Sequence, residues 1–166
     1  MKQYHNLILN TLKNGTYKEN RTAVDTISTF SQHYKIDIDE DNFPILTTKD
    51  LSGYRWESLI HELIWYLSGE EHIRNLREKT KIWNAWANEN GELDTAYGRC
   101  WRNYPAAKKE LPGEAWADDD HKWTNEDGTF DQIQYIIDQL NNNPQTRRLV
   151  LNAWHPNNAA VSQLPP

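Results

Sequence analysis

Cysteine, methionine and phenylalanine are scarce in this chain: one Cys, one Met and three Phe among 166 residues. A single thiol, Cys100, excludes an internal disulfide framework and any cysteine-rich metal site. No apolar run approaches the length needed to cross a bilayer, and the N-terminus lacks the apolar segment of a secretory signal. The cytoplasm is therefore the expected location. Positive charge is not in excess either. A net charge of −6 disfavours non-specific binding to nucleic acid or to an anionic membrane, and leaves room only for a local basic pocket that holds one small anion. Internal repeats and low-complexity tracts are absent.

What is present is a chain long enough for one domain with a real core, expected to span 1–166. The apolar share of 37% is lean for that length, and mean hydropathy is −0.91. Eight Trp and eight Tyr add bulky, half-polar surface. Either the exterior is unusually polar, or part of the core lies on a chain or segment outside this sequence.

Along the chain, Tyr4, Leu7, Ile8, Thr11 and Leu12 form one helical stripe that Gly15 can stop. Asn20-Arg21-Thr22 is a polar loop. From Thr26 to Ile38 the composition suits a strand, and Phe30, Tyr34, Ile36 and Ile38 share one parity, which predicts a half-buried strand. Phe43 to Lys49 is a short apolar segment running into a polar turn. From Glu57 to Ser68, Leu59, Ile60, Leu63, Ile64, Tyr66 and Leu67 cover much of a helix circumference, which predicts a central helix ended by Gly69. A short helix with Ile73 and Leu76 comes next. Residues 105–129 are acidic, broken by Pro112, Gly113 and Gly128, and read as a surface excursion. A last helix carries Phe130, Ile133, Ile136, Ile137 and Leu140, and Pro144 prevents its continuation. Arg147-Arg148 then opens an apolar run of strand composition through Trp154, and Leu164-Pro165-Pro166 forms a stiff end.

Four features could carry chemistry. Glu62 lies among leucines and isoleucines on the most apolar helix, beside His61. It is either at the helix's wet edge or partly buried with a partner, and a buried carboxyl there could hold and pass a proton near neutral pH. Trp83 and Trp86 stand three apart, so on a helical turn they share a face and make either a flat wall for an aromatic ligand or plain core. Arg21 and the pair Arg147 and Arg148 can offer bidentate, charge-assisted bonds to an anion. Cys100 has Arg99, Trp101 and Arg102 around it, but no base or metal spacing accompanies it, and it reads as a structural thiol rather than a nucleophile.

Taken together and in order, these motifs resemble the thymidylate synthase family. Asn20-Arg21-Thr22 is similar to its phosphate-binding loop. Phe43-Pro44-Ile45-Leu46-Thr47-Thr48-Lys49, His61-Glu62-Leu63-Ile64-Trp65, Ile82-Trp83-Asn84-Ala85-Trp86, Tyr97-Gly98 and Arg147-Arg148 through Trp154 resemble family signatures. The chain departs from the pattern in having Ala23-Val24-Asp25-Thr26 where Gly-Thr-Gly-Thr is common. A longer Asp50–Ile60 segment also lacks the family's usual histidine.

The resemblance implies an α+β fold: a large mixed β-sheet with the Glu57–Ser68 helix packed on it, and two subunits placing their sheets back to back. It implies conversion of dUMP to dTMP with 5,10-methylenetetrahydrofolate as one-carbon and hydride donor. Arg21 would bind the nucleotide phosphate, and Arg147 and Arg148 would reach the partner's site in a homodimer. Glu62 would organise water and proton transfers, and Tyr97 would sit near the nucleophile. Trp83 and Trp86, with Lys49, would serve the folate. The nucleophilic cysteine is expected just after Pro166, so the chain as it stands is expected to be inactive. Two other readings stay open: a dCMP or dUMP hydroxymethylase of the same family, and a non-catalytic module that binds a small anion.

Overall fold

The computed structural model describes residues 2–20, 24–41, 43–46, 48–93, 95–105 and 122–160. The chain divides into two compact units, Met1–Ser52 and Gly53–Pro166.

The first unit begins with α1, Lys2–Asn14, where the apolar stripe predicts a helix. The Gly15 N–H donates to the Thr11 carbonyl at 2.8 Å and closes it. A Cβ on Gly15 would lie 2.4 Å from that oxygen and 2.6 Å from Ile27 Cγ2, so the tight passage from helix to strand requires glycine. Strands β1 (Thr16–Lys18) and β2 (Thr26–Ser28) pair antiparallel, with Tyr17 opposite Ile27. The Gln32 amide ties the segment after β2 to α1, donating to Thr11 Oγ1 at 2.5 Å and accepting from Asn10 Nδ2 at 2.8 Å.

The half-buried strand expected through Ile38 does not form: β2 stops at Ser28, and Phe30, Tyr34 and Ile38 are exposed. Alternation decides which side chains share a face, whereas a strand exists only where a neighbour takes up its backbone N–H and C=O groups.

In the second unit, α2 runs from Tyr54 to Ser68, starting ahead of the expected Glu57. Gly69, at φ 74°, ends it in the left-handed conformation, its N–H donating to the Tyr66 carbonyl at 3.1 Å. The core collects Trp65, Ile73, Leu76, Trp83, Leu93 and Ala96. From α2 only Trp65 is buried, while Leu59, Leu63, Ile64 and Leu67 remain exposed, so the helix expected to be central turns much of its apolar surface outward. The short helix expected around Ile73 and Leu76 is a 3-10 turn, Leu76–Glu78.

Among the described residues, helix α2 packs against a second helix, α3 (Tyr97–Arg102), and not against a sheet. Gly98 allows it: a Cβ there would lie 2.5 Å from the Tyr66 carbonyl oxygen and 2.9 Å from Tyr66 Cα. Helix α4 (Gln132–Asn142) is capped by Asp131, whose carboxylate accepts from the Gln134 N–H at 2.9 Å and pairs with Arg102 at 2.8 Å. The buried Gln132 side chain joins three segments. Its Nε2 donates to the Cys100 carbonyl at 2.6 Å and the Asn152 carbonyl at 2.9 Å, and its Oε1 accepts from the Asn152 N–H at 2.8 Å.

Of the 105–129 excursion, 106–121 lie outside the described residues. The returning part is tied in by Tyr104 and Thr124, which both bridge to Phe130, and by Trp123, whose ring stands 5.0 Å from that of Tyr135. The Arg147–Trp154 run forms no strand; Val150 and Leu151 are exposed, and Asn152 holds the run to Gln132. A large mixed sheet is thus not formed among the described residues, where the sheet is the pair β1 and β2. No helix among them is long and apolar enough to cross a membrane.

Gly98→Ala forces α2 and α3 apart and is expected to lower stability by about 1–3 kcal/mol, the range for overpacking a tight contact, read by denaturant unfolding. An unchanged midpoint would mean that the helices do not meet at Gly98.

Candidate active site

Three elements of the second unit build a site around one carboxylate. Helix α2 carries Glu62 and Tyr66 at i and i+4, hence on one face. The turn through residues 82–86, where the Trp83 carbonyl accepts from the Trp86 and Ala87 N–H groups, presents Trp83 inward. The first residue of α3 is Tyr97. The Ser58 and Thr80 hydroxyls, 2.5 Å apart, hold the start of this turn against α2.

Both nearby donors meet the same oxygen. The Trp83 indole N–H donates to Glu62 Oε1 at 2.5 Å, and the Tyr66 hydroxyl donates to it at 2.9 Å. Bonds from neutral donors to an ionised acceptor are the strong class, contributing about 1.5–3 kcal/mol each. Among the described residues no cation pairs with Glu62, and none donates to its Oε2. The carboxylate is half-buried, so the expectation of a partly buried group with a partner describes it better than a solvated edge does.

The rings around it meet mostly edge to face. Tyr66 stands 5.6 Å from Tyr97, 6.2 Å from Trp83 and 5.7 Å from Trp101. Trp83 also meets Tyr97 at 6.1 Å and Trp65 at 5.9 Å. Such pairs contribute about 0.5–1.5 kcal/mol beyond their buried area. The site can therefore hold a carboxylate in one orientation beside a stiff aromatic cluster.

The other sequence-derived candidates fall differently. Trp86 does not join the cluster; it is 41% exposed while Trp83 is 9% exposed. A turn lacks the constant rotation of a helix, so a spacing of three did not keep both indoles on one face. Arg147 and Arg148 are exposed, anchored locally by Tyr135 donating to the Arg148 carbonyl at 3.4 Å and by Thr146. Neither guanidinium contacts the Glu62 cluster. Lys49 belongs to the Met1–Ser52 unit and is exposed. Arg21 and Leu164-Pro165-Pro166 lie outside the described residues. Cys100 is buried, and burial pushes its thiol up while Arg99 pulls it the other way, as suits a structural cysteine. Tyr66 is the residue that periodicity missed. It counted only as apolar surface, although its position four after Glu62 was the available signal.

A surface recess of about 400 Å³ is lined by residues that include Gly69, Glu70, His72, Arg74 and Glu92. No group of three His, Cys, Asp or Glu suited to a metal occurs among the described residues.

The site defined here is a carboxylate oriented by a tyrosine and a tryptophan and walled by aromatic rings on two helices and a turn. The family profile described as "Thymidylate synthase" matches residues 2–166. A thymidylate synthase of Haloferax volcanii is 64% identical over 160 residues, covering 96% of this chain and 46% of that protein. The chain belongs to the thymidylate synthase family, and it spans about half the length of that curated relative.

Burial, and then the charge of Glu62 beside it, push the Tyr66 phenol well above its ordinary value of 10.0, although the Trp83 N–H acts the other way. The fold thus keeps Tyr66 protonated, whereas an unfolded chain ionises it near pH 10.0. The associated stability is fully present below that pH and is lost as pH rises above it. Melting temperature should fall more steeply with alkalinity in the wild type than in Tyr66→Phe; parallel curves would contradict the assignment.

Proposed function

We propose that this chain is part of an enzyme that converts dUMP to dTMP, with 5,10-methylenetetrahydrofolate as the one-carbon and hydride donor. The observation that carries the reading is Glu62, a carboxylate held by Trp83 and Tyr66 within a chain that matches the thymidylate synthase family from end to end. When bound, the folate supplies the carbon and the reducing equivalent. The residues here position and move protons.

With Oε1 committed to two donors, Oε2 of Glu62 is the oxygen left to order water and relay protons at the pyrimidine edge. Trp83 and Tyr97 bring apolar rings to the same place, suited to a flat heterocycle, and Trp86 and Lys49 complete the folate contacts. Arg21 binds the nucleotide phosphate. The exposed Arg147 and Arg148 reach the phosphate in the partner's site, so that the active form is a homodimer working in the cytoplasm. Residues 1–166 then contribute to a single domain with a large mixed sheet. Covalent attack on the pyrimidine requires a thiolate. Cys100, buried and with its thiol pushed up, is not that group, and we place the thiolate outside residues 1–166.

The product of the complete natural gene should release tritium from C5 of labelled dUMP only when methylenetetrahydrofolate is added. No release would refute the assignment. In the same protein, Glu62→Gln should lower kcat by about a hundredfold or more while the KM for dUMP changes only a few-fold. Equal losses in both would make Glu62 a structural residue.

A further inference from the structure

Glu62 receives its two hydrogen bonds from different parts of the fold. Trp83 Nε1 approaches from the 82–86 turn, and the Tyr66 hydroxyl approaches from the next turn of the carboxylate's own helix. The terminal torsion of a glutamate is broad and almost unhindered, so a single donor would fix one oxygen but leave the carboxylate plane free to swing about it. A second donor to the same oxygen, arriving from another direction, fixes the plane and with it the position of Oε2. Tyr66 is itself held, because its ring meets Trp83, Tyr97 and Trp101 at interplanar angles of 79°, 67° and 64°.

We propose that Tyr66 is a positioning residue whose hydroxyl, together with the Trp83 indole, commits Glu62 Oε1 and so aims Oε2 at the reacting pyrimidine. This rests on the reading of Glu62 as the proton-handling group. The competing account is an ordinary i,i+4 pair that only supports the helix. An exposed pair of that kind neither shares its acceptor oxygen with another element nor sits inside an aromatic cluster, and Tyr66 does both.

A double-mutant cycle on the complete natural protein tests it. Tyr66→Phe keeps the ring and removes only the hydroxyl. It should lower kcat by about tenfold or more, with the KM values for dUMP and folate changed by no more than about twofold. In a Glu62→Ala background, and likewise in Glu62→Gln, the same change should alter the residual kcat by less than about twofold. The melting temperature gives a second reading: Tyr66→Phe should lower it in the wild type and leave it nearly unchanged in Glu62→Ala, which has no acceptor.

An equal kcat loss in all backgrounds, an unchanged kcat, a loss confined to KM, or a melting effect independent of Glu62 would each overturn the proposal. A wild-type protein that releases no tritium would instead overturn the functional reading beneath it. The two failures are therefore distinct.

Discussion

The bond from the Trp83 indole to Glu62 is the constraint around which the second unit is arranged. Trp83 is a core residue, and its ring is packed among Trp65, Tyr66 and Tyr97. An indole placed there must find an acceptor for its N–H or bear the cost of desolvating it. The acceptor is a carboxylate one helix away, at 2.5 Å. A single contact thus satisfies a core donor and draws a charge to the edge of an aromatic cluster. Hydrophobic core and candidate site share Trp83, so packing errors at Trp65 or Trp83 would reach Glu62 directly.

Two further residues keep that arrangement in register. Gly98 removes the side chain that would separate α3 from α2, which lets Tyr97 reach the rings of Tyr66 and Trp83. Gln132 takes the role that a sheet ladder fills elsewhere. Its buried amide satisfies backbone groups of Cys100 and Asn152, one on α3 and one on the segment after α4. The unit is therefore joined by helix contact and side-chain amides, with the β structure of the second unit limited to isolated bridges among the described residues.

Legibility tracked the range of the forces involved. Helices α1, α2 and α4 were readable because stripe and stop signal are both local, as with Gly69 after α2 and Pro144 after α4. Strands were not. The parity of Phe30, Tyr34 and Ile38 and the apolar run after Arg148 each met half of what a strand needs, since pairing depends on a second segment that composition does not name. Within the site, Glu62, Trp83 and Tyr97 were singled out by motif and are brought together. Trp86 was paired with Trp83 by an assumed helical rotation that the turn does not have. Tyr66 was hidden because a tyrosine on an apolar helix looks like packing until its hydroxyl has a destination.

The sequence by itself determined the family, the helices α1, α2 and α4 and the residue types at the site, because these depend on local pattern and on motifs in a fixed order. It also determined that Cys100 stands alone, which bears on any covalent chemistry. Tertiary structure decided which indole turns inward, which faces of α2 stay wet, and which oxygen of Glu62 is already occupied. Those outcomes depend on directions between elements distant in the chain, where differences of a few ångströms separate a bond from empty space. Position along the sequence carries no measure of such distances until the helices have packed.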